Sequence, residues 1–351
     1  MKPPMLDDQR GARVLVTGGA GFVGSALVRQ LLRAGAYVIV LDNYLSGRPE
    51  NLEEVNHEIT FLEGDVLDRD NLAEVFRTHE PSYVYHLVGD TFVPSAYRHP
   101  LRFLRVNAEG TLNMLLTALE FGVERMLYVS SAEVYGQTGR EPIAEAQNLA
   151  PVNTYAVTKL AADRLCYTFH LEHDLPVIIA RIFNCYGPRE TQPYVVPEII
   201  RQLRDNPVVQ LGNVDAARDL TYVDDTAHGL MAFMSSSLPN GEAVNLGSGR
   251  LVGLATVVET CARLLGREDY RIEHDPRRER RLDIDAFCCD ATRLRDTTGW
   301  SPQVALEDGL RLTVEWFRSH GSRWLWEEWC SDGIIRPPSS KPGASISSTS
   351  R

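Results

Sequence analysis

No stretch of this 351-residue chain comes near the ~20 consecutive apolar residues that a membrane-spanning helix requires. The opening residues, Met1 to Gly11, are polar and proline-containing, without the basic-then-apolar pattern of a secretory leader. A cytosolic protein is expected. Cysteine is scarce and poorly spaced for structure. The six present (Cys166, Cys185, Cys261, Cys288, Cys289 and Cys330) form no Cys-x-x-Cys pair, and no paired histidines stand in ligand register, so neither a metal site nor a disulfide framework is indicated. They read as reduced thiols, with Cys288 and Cys289 packing to opposite faces of a strand. Positive charge is also short: a formal net charge of −11 argues against nonspecific nucleic-acid binding while leaving room for a local basic pocket. The length allows one large domain or two closely joined ones.

What is present is organised around residues 13 to 24. The run Val14, Leu15, Val16 stops at a turn with glycines at 18, 21 and 24, after which Phe22, Val23, Ala26, Leu27, Leu31 and Leu32 recur at helical spacing. That is a strand, a tight turn and a helix. Such glycines let the chain reverse and a pyrophosphate approach the backbone, and the helix N-terminus offers unpaired N–H groups to phosphate. The next strand, Tyr37 to Leu41, ends in Asp42, which lies near the ~20-residue spacing expected of a carboxylate that takes adenosine ribose hydroxyls. That carboxylate would repel a 2′-phosphate, and Asn43 and Tyr44 after it are uncharged, so NAD is favoured over NADP.

Strands and helices then alternate, which means a parallel sheet with right-handed crossovers. Ile59 to Val66 supplies a third strand with its turn, where Asp65 can meet an adenine or, like Asp68, cap a helix. Tyr83 to Gly89 is a fourth strand, in which His86 reads as a core histidine. An amphipathic helix is expected from Pro100 to Phe121, and Arg125 to Ser131 is a fifth strand. Ligands in such sheets bind beyond the carboxyl ends of strands, which puts Ser131, Ala132 and Glu133 where chemistry should be. Tyr155 and Lys159 lie at i and i+4 on one helical face, and a nearby ammonium with the positive nicotinamide ring is expected to lower the phenol's pKa and make it a base. Val177 to Asn184 is a sixth strand.

Beyond Tyr186 the alternation becomes irregular. A smaller second domain is expected over 186–330, after a first over 1–185, with segments near 219–226 and 243–248 returning to the first. The basic run Arg277 to Arg281 is either a solvated face or, with Arg218, an anion clamp. Trp316, Trp324, Trp326 and Trp329 are expected to pack the C-terminal helix, and the serine- and proline-rich tail 331–351 to be disordered.

In this order, the glycine turn, Asp42, Ser131 and the Tyr155/Lys159 pair resemble the extended short-chain dehydrogenase/reductase family, in its nucleotide-sugar epimerase/dehydratase branch, over residues 12 to 318. The resemblance implies an α/β, Rossmann-type doubly wound parallel sheet with a smaller interleaved C-terminal substrate domain. It also implies a bound NAD held by Gly18, Gly21, Phe22, Val23, Gly24, Asp42, Asn43, Ser46, Gly47, Asp65, Val66, Leu87, Val88, Gly89, Asn107, Tyr155 and Lys159. Ser131, Tyr155, Lys159 and Glu133 would be catalytic. Thr91, Ser131, Ala132, Asn184, Val195, Arg218, Arg280 and Asp283 would hold the substrate.

The implied reaction oxidises a sugar C4 hydroxyl, with Tyr155 as base, and passes through a 4-keto sugar. Ala132 stands where a 4,6-dehydratase of the family carries an aspartic acid that donates to the leaving hydroxyl. Glu133 stands where simple 4-epimerases carry a small or neutral residue. On sequence alone a 4-epimerase of UDP-hexoses or UDP-hexuronates ranks first. A dehydratase or UDP-glucuronate-type decarboxylase that uses Glu133 ranks second, and a noncatalytic NAD-binding scaffold third. The family pattern further implies a homodimer formed by a four-helix bundle from segments near 100–120 and 155–172.

Overall fold

A computed structural model describes residues 9–320 except Thr191, Arg280, Arg281 and Asp283. In chain order its first half runs β1 (Arg13–Thr17), α1 (Phe22–Arg33), β2 (Tyr37–Asp42), β3 (Thr60–Glu63), α2 (Arg69–His79), β4 (Tyr83–His86), α3 (Val93–Ala96), α4 (Pro100–Leu104), α5 (Gly110–Phe121), β5 (Arg125–Ser131), α6 (Thr154–His173) and β6 (Val177–Ile182). The second half runs β7 (Asn184–Tyr186), α7 (Val195–Asp205), β8 (Val208–Leu211), β9 (Ala217–Tyr222), α8 (Val223–Met234), β10 (Ala243–Leu246), β11 (Leu251–Gly253), α9 (Leu254–Leu265), β12 (Arg271–His274), β13 (Ala286–Phe287), α10 (Thr292–Thr298) and α11 (Leu306–His320).

Seven strands form one sheet in the order β10-β6-β5-β4-β1-β2-β3, and every neighbouring pair is parallel. A parallel sheet is covered on both faces, so its strands are apolar on both sides. Along β1, Val14 and Val16 belong to one core and Leu15 to the other. The first core joins α1 and α8, the second α2, α5 and α6. Strand order reverses on either side of β1, between β2 and β4, which opens the crevice where ligands of such sheets bind. This is the doubly wound architecture expected.

Two local features differ from the sequence reading. The segment 100–121 is not one α-helix: between α4 and α5 the chain widens into a π turn over Arg105–Glu109. One extra residue in that turn, a device frequent at functional sites, rotates Asn107 inward. The sixth strand ends at Ile182, and Asn184 starts β7, which pairs with β9 in a separate small sheet with β11 and β13. β10 lies at the edge of the large sheet beside β6, so the chain re-enters that sheet after β9. Trp316 lies on α11 and stacks on His320, 4.7 Å between centroids. The other three tryptophans and the tail 331–351 lie outside the described residues.

Candidate active site

A cavity of about 390 Å³ runs along the carboxyl ends of the strands, from the glycine turn after β1 to the loops after β8. At its first end, Gly18 has φ +76°, and a Cβ there would meet the Val88 amide nitrogen at 3.0 Å. A Cβ on Gly24 would run into the Gly18 carbonyl, so α1 can approach the turn only without side chains. α1 starts at Phe22 with no side-chain cap, leaving its first N–H groups for a ligand. Gly18, Gly21, Phe22, Val23 and Gly24 all line the cavity.

Asp42 ends β2 and is 6% exposed. Its Oδ2 accepts from the Ala20 N–H at 2.9 Å and its Oδ1 from the Tyr44 N–H at 2.8 Å. Burial raises its pKa, and those backbone bonds oppose the rise. Asn43, Ser46 and Gly47 continue this wall, with Asp65 and Val66 opposite. Asp65 accepts from Asn43 Nδ2 at 3.1 Å and from the Leu67 N–H. The cap of α2 is Asp68, which accepts from the Asn71 N–H. Of the two candidates, then, Asp65 faces the cavity and Asp68 caps the helix.

Leu87, Val88, Gly89 and Thr91 lead from β4 to the middle of the cavity, where Ser131, Ala132, Glu133, Tyr155 and Lys159 also lie. Asn153 caps α6 by accepting from the Ala156 N–H at 2.8 Å. Its Nδ2 donates to Glu133 Oε2 at 2.7 Å. One amide therefore fixes both the helix that carries Tyr155 and the carboxylate beside it. Ser131 Oγ accepts from the Glu133 N–H at 3.2 Å, and the Ser131 side chain lowers the pKa of Tyr155.

In the chain alone, the ammonium's share of the expected effect on Tyr155 is missing. Burial raises its pKa, and the Glu133 carboxylate raises it further. Lys159 does not counter this. Its Nζ donates to the Val129 carbonyl at 2.6 Å and stands 4.5 Å from the centre of the Tyr128 ring, and burial lowers its pKa to about 7. The chain's own residues thus hold the phenol protonated. Depressing it requires a positive charge from a bound molecule.

Asn107 does not line the cavity. It is fully buried and braces the cavity floor from behind: Oδ1 accepts from the Asp90 N–H at 2.7 Å, and Nδ2 donates to the Asp90 carbonyl and to Thr158 Oγ1. Its bonds hold Asp90, next to Gly89 on the cavity wall, and Thr158 on α6. Asn184, Val195 and Arg218 line the far end, whereas Arg280 and Asp283 lie outside the described residues. Arg278, from the same basic run, does reach the cavity, where it pairs with Glu198 at 2.9 Å. The sequence reading missed Asn153, Glu190 and Tyr194, all on the cavity wall. The Asn153 position before an apolar helix was a cap signal; Glu190 and Tyr194 carried none.

His86 is a core histidine, as expected. Thr111 Oγ1 donates to the Asn107 carbonyl, so it accepts from His86 Nε2–H, and Nδ1 accepts from Thr17. The network fixes the neutral ring, and burial pushes its pKa down to about 3 from 6.5. Between those values the unfolded chain binds a proton that the folded chain does not, so stability falls as pH drops through this window. The expected slope is about 1.4 kcal/mol per pH unit. Urea unfolding between pH 6.5 and 4.5 should show that slope diminished by one proton's worth in His86→Phe.

Comparison with known proteins now bears on this arrangement. Residues 15–313 match the family described as GDP-mannose 4,6 dehydratase. The chain belongs to the extended short-chain dehydrogenase/reductase family. Within it the chain falls in the NAD-dependent nucleotide-sugar branch of epimerases, dehydratases and decarboxylases. It is 32% identical to the UDP-N-acetyl-alpha-D-glucosaminuronate decarboxylase of Bacillus cytotoxicus, over 87% of this chain and 98% of that protein. The UDP-glucose 4-epimerase of Thermotoga maritima, solved with UDP-glucose, superposes with a TM-score of 0.81 at 32% identity, covering 88% of this chain and 99% of that one. The dTDP-glucose 4,6-dehydratase of Streptomyces venezuelae, solved with NAD bound, gives 0.83 at 30% identity, with 89% and 99% covered. All three reaction classes thus stand at similar distance from this extended short-chain dehydrogenase/reductase.

Proposed function

We propose that the chain oxidises C4 of a nucleotide-linked hexose or hexuronate, UDP-linked first, and carries the 4-keto sugar through C5 with Glu133, as a dehydratase or decarboxylase. The observation that carries this reading is the Glu133 carboxylate, which lines the cavity beside Tyr155 and is held there by Asn153. A carboxylate anchored at one oxygen keeps the other for a proton acidified by an adjacent ketone. Direct 4-epimerisation is the second reading. It is favoured by Ala132, which cannot protonate a leaving hydroxyl, and it leaves Glu133 a hydrogen-bonding role.

The residues present fit NAD. The glycine cradle excludes any Cβ, and Asp42 puts a buried carboxylate where a 2′-phosphate would be repelled. Gly18 to Gly24, Asp42 to Gly47, Asp65 and Leu87 to Gly89 would hold it, with Lys159 at its ribose. NAD, when bound, supplies the hydride acceptor for C4, the returning hydride and a positive charge beside the phenol.

Tyr155 takes the proton from the C4 hydroxyl, and Ser131 hydrogen-bonds the phenol while it does so. In the dehydratase case Glu133 takes the C5 proton and returns it to the C6 oxygen as the C–O bond breaks, and water leaves. In the decarboxylase case the C5–C6 bond breaks as carbon dioxide leaves, and the resulting enolate takes a solvent proton at C5 delivered through Glu133. Asn184, Val195, Arg218 and Arg278 line the far end, where guanidinium groups suit a diphosphate; Arg280 and Asp283 belong to the same proposal.

Incubating the protein with UDP- and dTDP-hexoses and UDP-glucuronate in D2O tests the reading. The expected product has lost water or carbon dioxide, or carries deuterium at C5. An isomer of unchanged mass, inverted at C4 and without deuterium at C5, would establish 4-epimerisation instead. Among the described residues five cysteines are free, which suits the reducing cytosol proposed as its location.

The proposal extends to a homodimer. Leu101 and Leu104 on α4 are 67% and 50% exposed, and Val157 and Leu171 on α6 are 50% and 62% exposed. Val157 and Leu171 lie two heptads apart on one face, and α4 packs against α6. A second copy covering this apolar surface would build a four-helix bundle. Sedimentation should give a dimer for the wild type and a folded monomer for Leu101→Glu/Leu171→Glu; a monomeric wild type would refute the interface.

A further inference from the structure

The cavity wall holds one carboxyl that neither the fold nor the proposed reaction uses. After β7 the chain makes a strained turn, with Gly187 at φ +154° and Arg189, not a glycine, at φ +70°. Left-handed backbone at a non-glycine residue is strained and persists where the surroundings impose it. Here Arg189 reaches across to Glu54 Oε1 at 2.9 Å, while Glu190 turns the opposite way, into the protein. Glu190 is 3% exposed and lines the cavity, and its Oε2 has no hydrogen-bond partner.

Among the described residues no counter-charge faces it. The groups that feel its charge are the Cys185 thiol and the Tyr194 phenol. The Tyr194 hydroxyl is already committed as donor to Thr91 Oγ1 at 2.9 Å. Burial alone raises the pKa of Glu190 well above the usual carboxylate range, which favours the carboxylic acid, a form with one donor and one acceptor. An unpaired buried polar group is destabilising, and a ligand that pairs with it removes that cost. Tyr194 also feels Tyr155 and Glu133, so one phenol lies within electrostatic reach of both this acid and the reacting residues, and all four line the same cavity.

We propose that Glu190 is a ligand-reading residue that exchanges a donor–acceptor pair of hydrogen bonds with a hydroxyl or carboxamide of the molecule bound beside Tyr155. The group read is a sugar hydroxyl or the carboxamide of the nicotinamide. This rests on the proposed function for the identity of the ligands, while the burial, the strained turn and the unpaired oxygen stand without it.

The test uses the full chain as wild type, Glu190→Gln, which keeps a donor and an acceptor, and Glu190→Leu and Glu190→Met, which keep neither. Calorimetric titrations with NAD, with UDP, and with UDP-glucose on NAD-saturated protein separate the sources. The apolar variants should bind one ligand about 10–100-fold more weakly, and the glutamine variant should recover to within about threefold of wild type. Loss confined to NAD assigns the carboxamide. Loss confined to UDP-glucose, with UDP unchanged, assigns the sugar hydroxyl. Without ligand, the apolar variants should melt no lower than wild type, since they remove an unsatisfied group; a merely structural role would lower the midpoint. Unchanged binding of every ligand in Glu190→Leu and Glu190→Met, or glutamine no better than leucine, overturns the proposal. Wild-type turnover of the sugar panel reports separately on the proposed function.

Discussion

Replacing Tyr155 with phenylalanine is expected to lower kcat for C4 oxidation by about 10²–10⁴-fold, the usual worth of a positioned general base, with KM changed little. The ring remains in its buried slot against Phe103, 6.4 Å between centroids, so the fold should tolerate the change. What disappears is the hydroxyl of a residue that lines the cavity together with Ser131. Stopped-flow absorbance of the reduced nicotinamide on mixing with the turned-over sugar nucleotide reads the oxidation step by itself. A variant that oxidises C4 within threefold of wild type would remove Tyr155 from the proposed role. Because burial and Glu133 both raise the phenol's pKa, Glu133→Gln should shift the alkaline-going limb of the oxidation rate to lower pH. Glu133→Gln should also abolish C5 deuteration if the carboxylate moves that proton.

The largest expected loss of stability comes from a residue outside the cavity. Asp163 is fully buried on α6 and accepts from Arg181 on β6 at 2.9 and 3.1 Å and from Ser130 on β5 at 3.0 Å. Arg181 in turn donates to the Tyr135 hydroxyl, which donates to Asn245 on β10. The network ties the helix that carries Tyr155 and Lys159 to three neighbouring strands. Desolvation works against the Arg181 guanidinium, but its partners more than offset it and hold its pKa above the ordinary value. Asp163→Ala leaves that guanidinium buried and without its carboxylate, at a cost of about 3–5 kcal/mol. Urea unfolding should show this as a lower midpoint with an unchanged slope. Asp163→Leu/Arg181→Met should recover most of the loss, because removing both charges removes the desolvation cost as well. A single-variant loss below about 1 kcal/mol would mean that water reaches Arg181.

These expectations rest on parts of the molecule that were unequally legible beforehand. The glycine turn and Asp42 could be read in one dimension because each is a local device. A turn that needs residues without a Cβ and a carboxylate at the next strand end are set by spacing along the chain. Apolar strand segments alternating with helical ones prescribed the parallel sheet for the same reason, since crossovers leave few topologies. The i, i+4 spacing of Tyr155 and Lys159 was equally plain. What that spacing could not show was where the ammonium points, and it points at Val129 and Tyr128 rather than at the phenol.

The sequence by itself therefore determined the fold class, the glycine turn and the residues that gather at the strand ends, because short-range geometry decides each of them. Only the tertiary structure decided the electrostatics and the supporting cast. The raised phenol of Tyr155 and the bracing role of Asn107 through a π turn depend on burial and on neighbours far apart in the chain. So do the pairing of Asn153 with Glu133 and the unpaired acid of Glu190. Desolvation is a property of the packed interior, and no spacing along the chain encodes it.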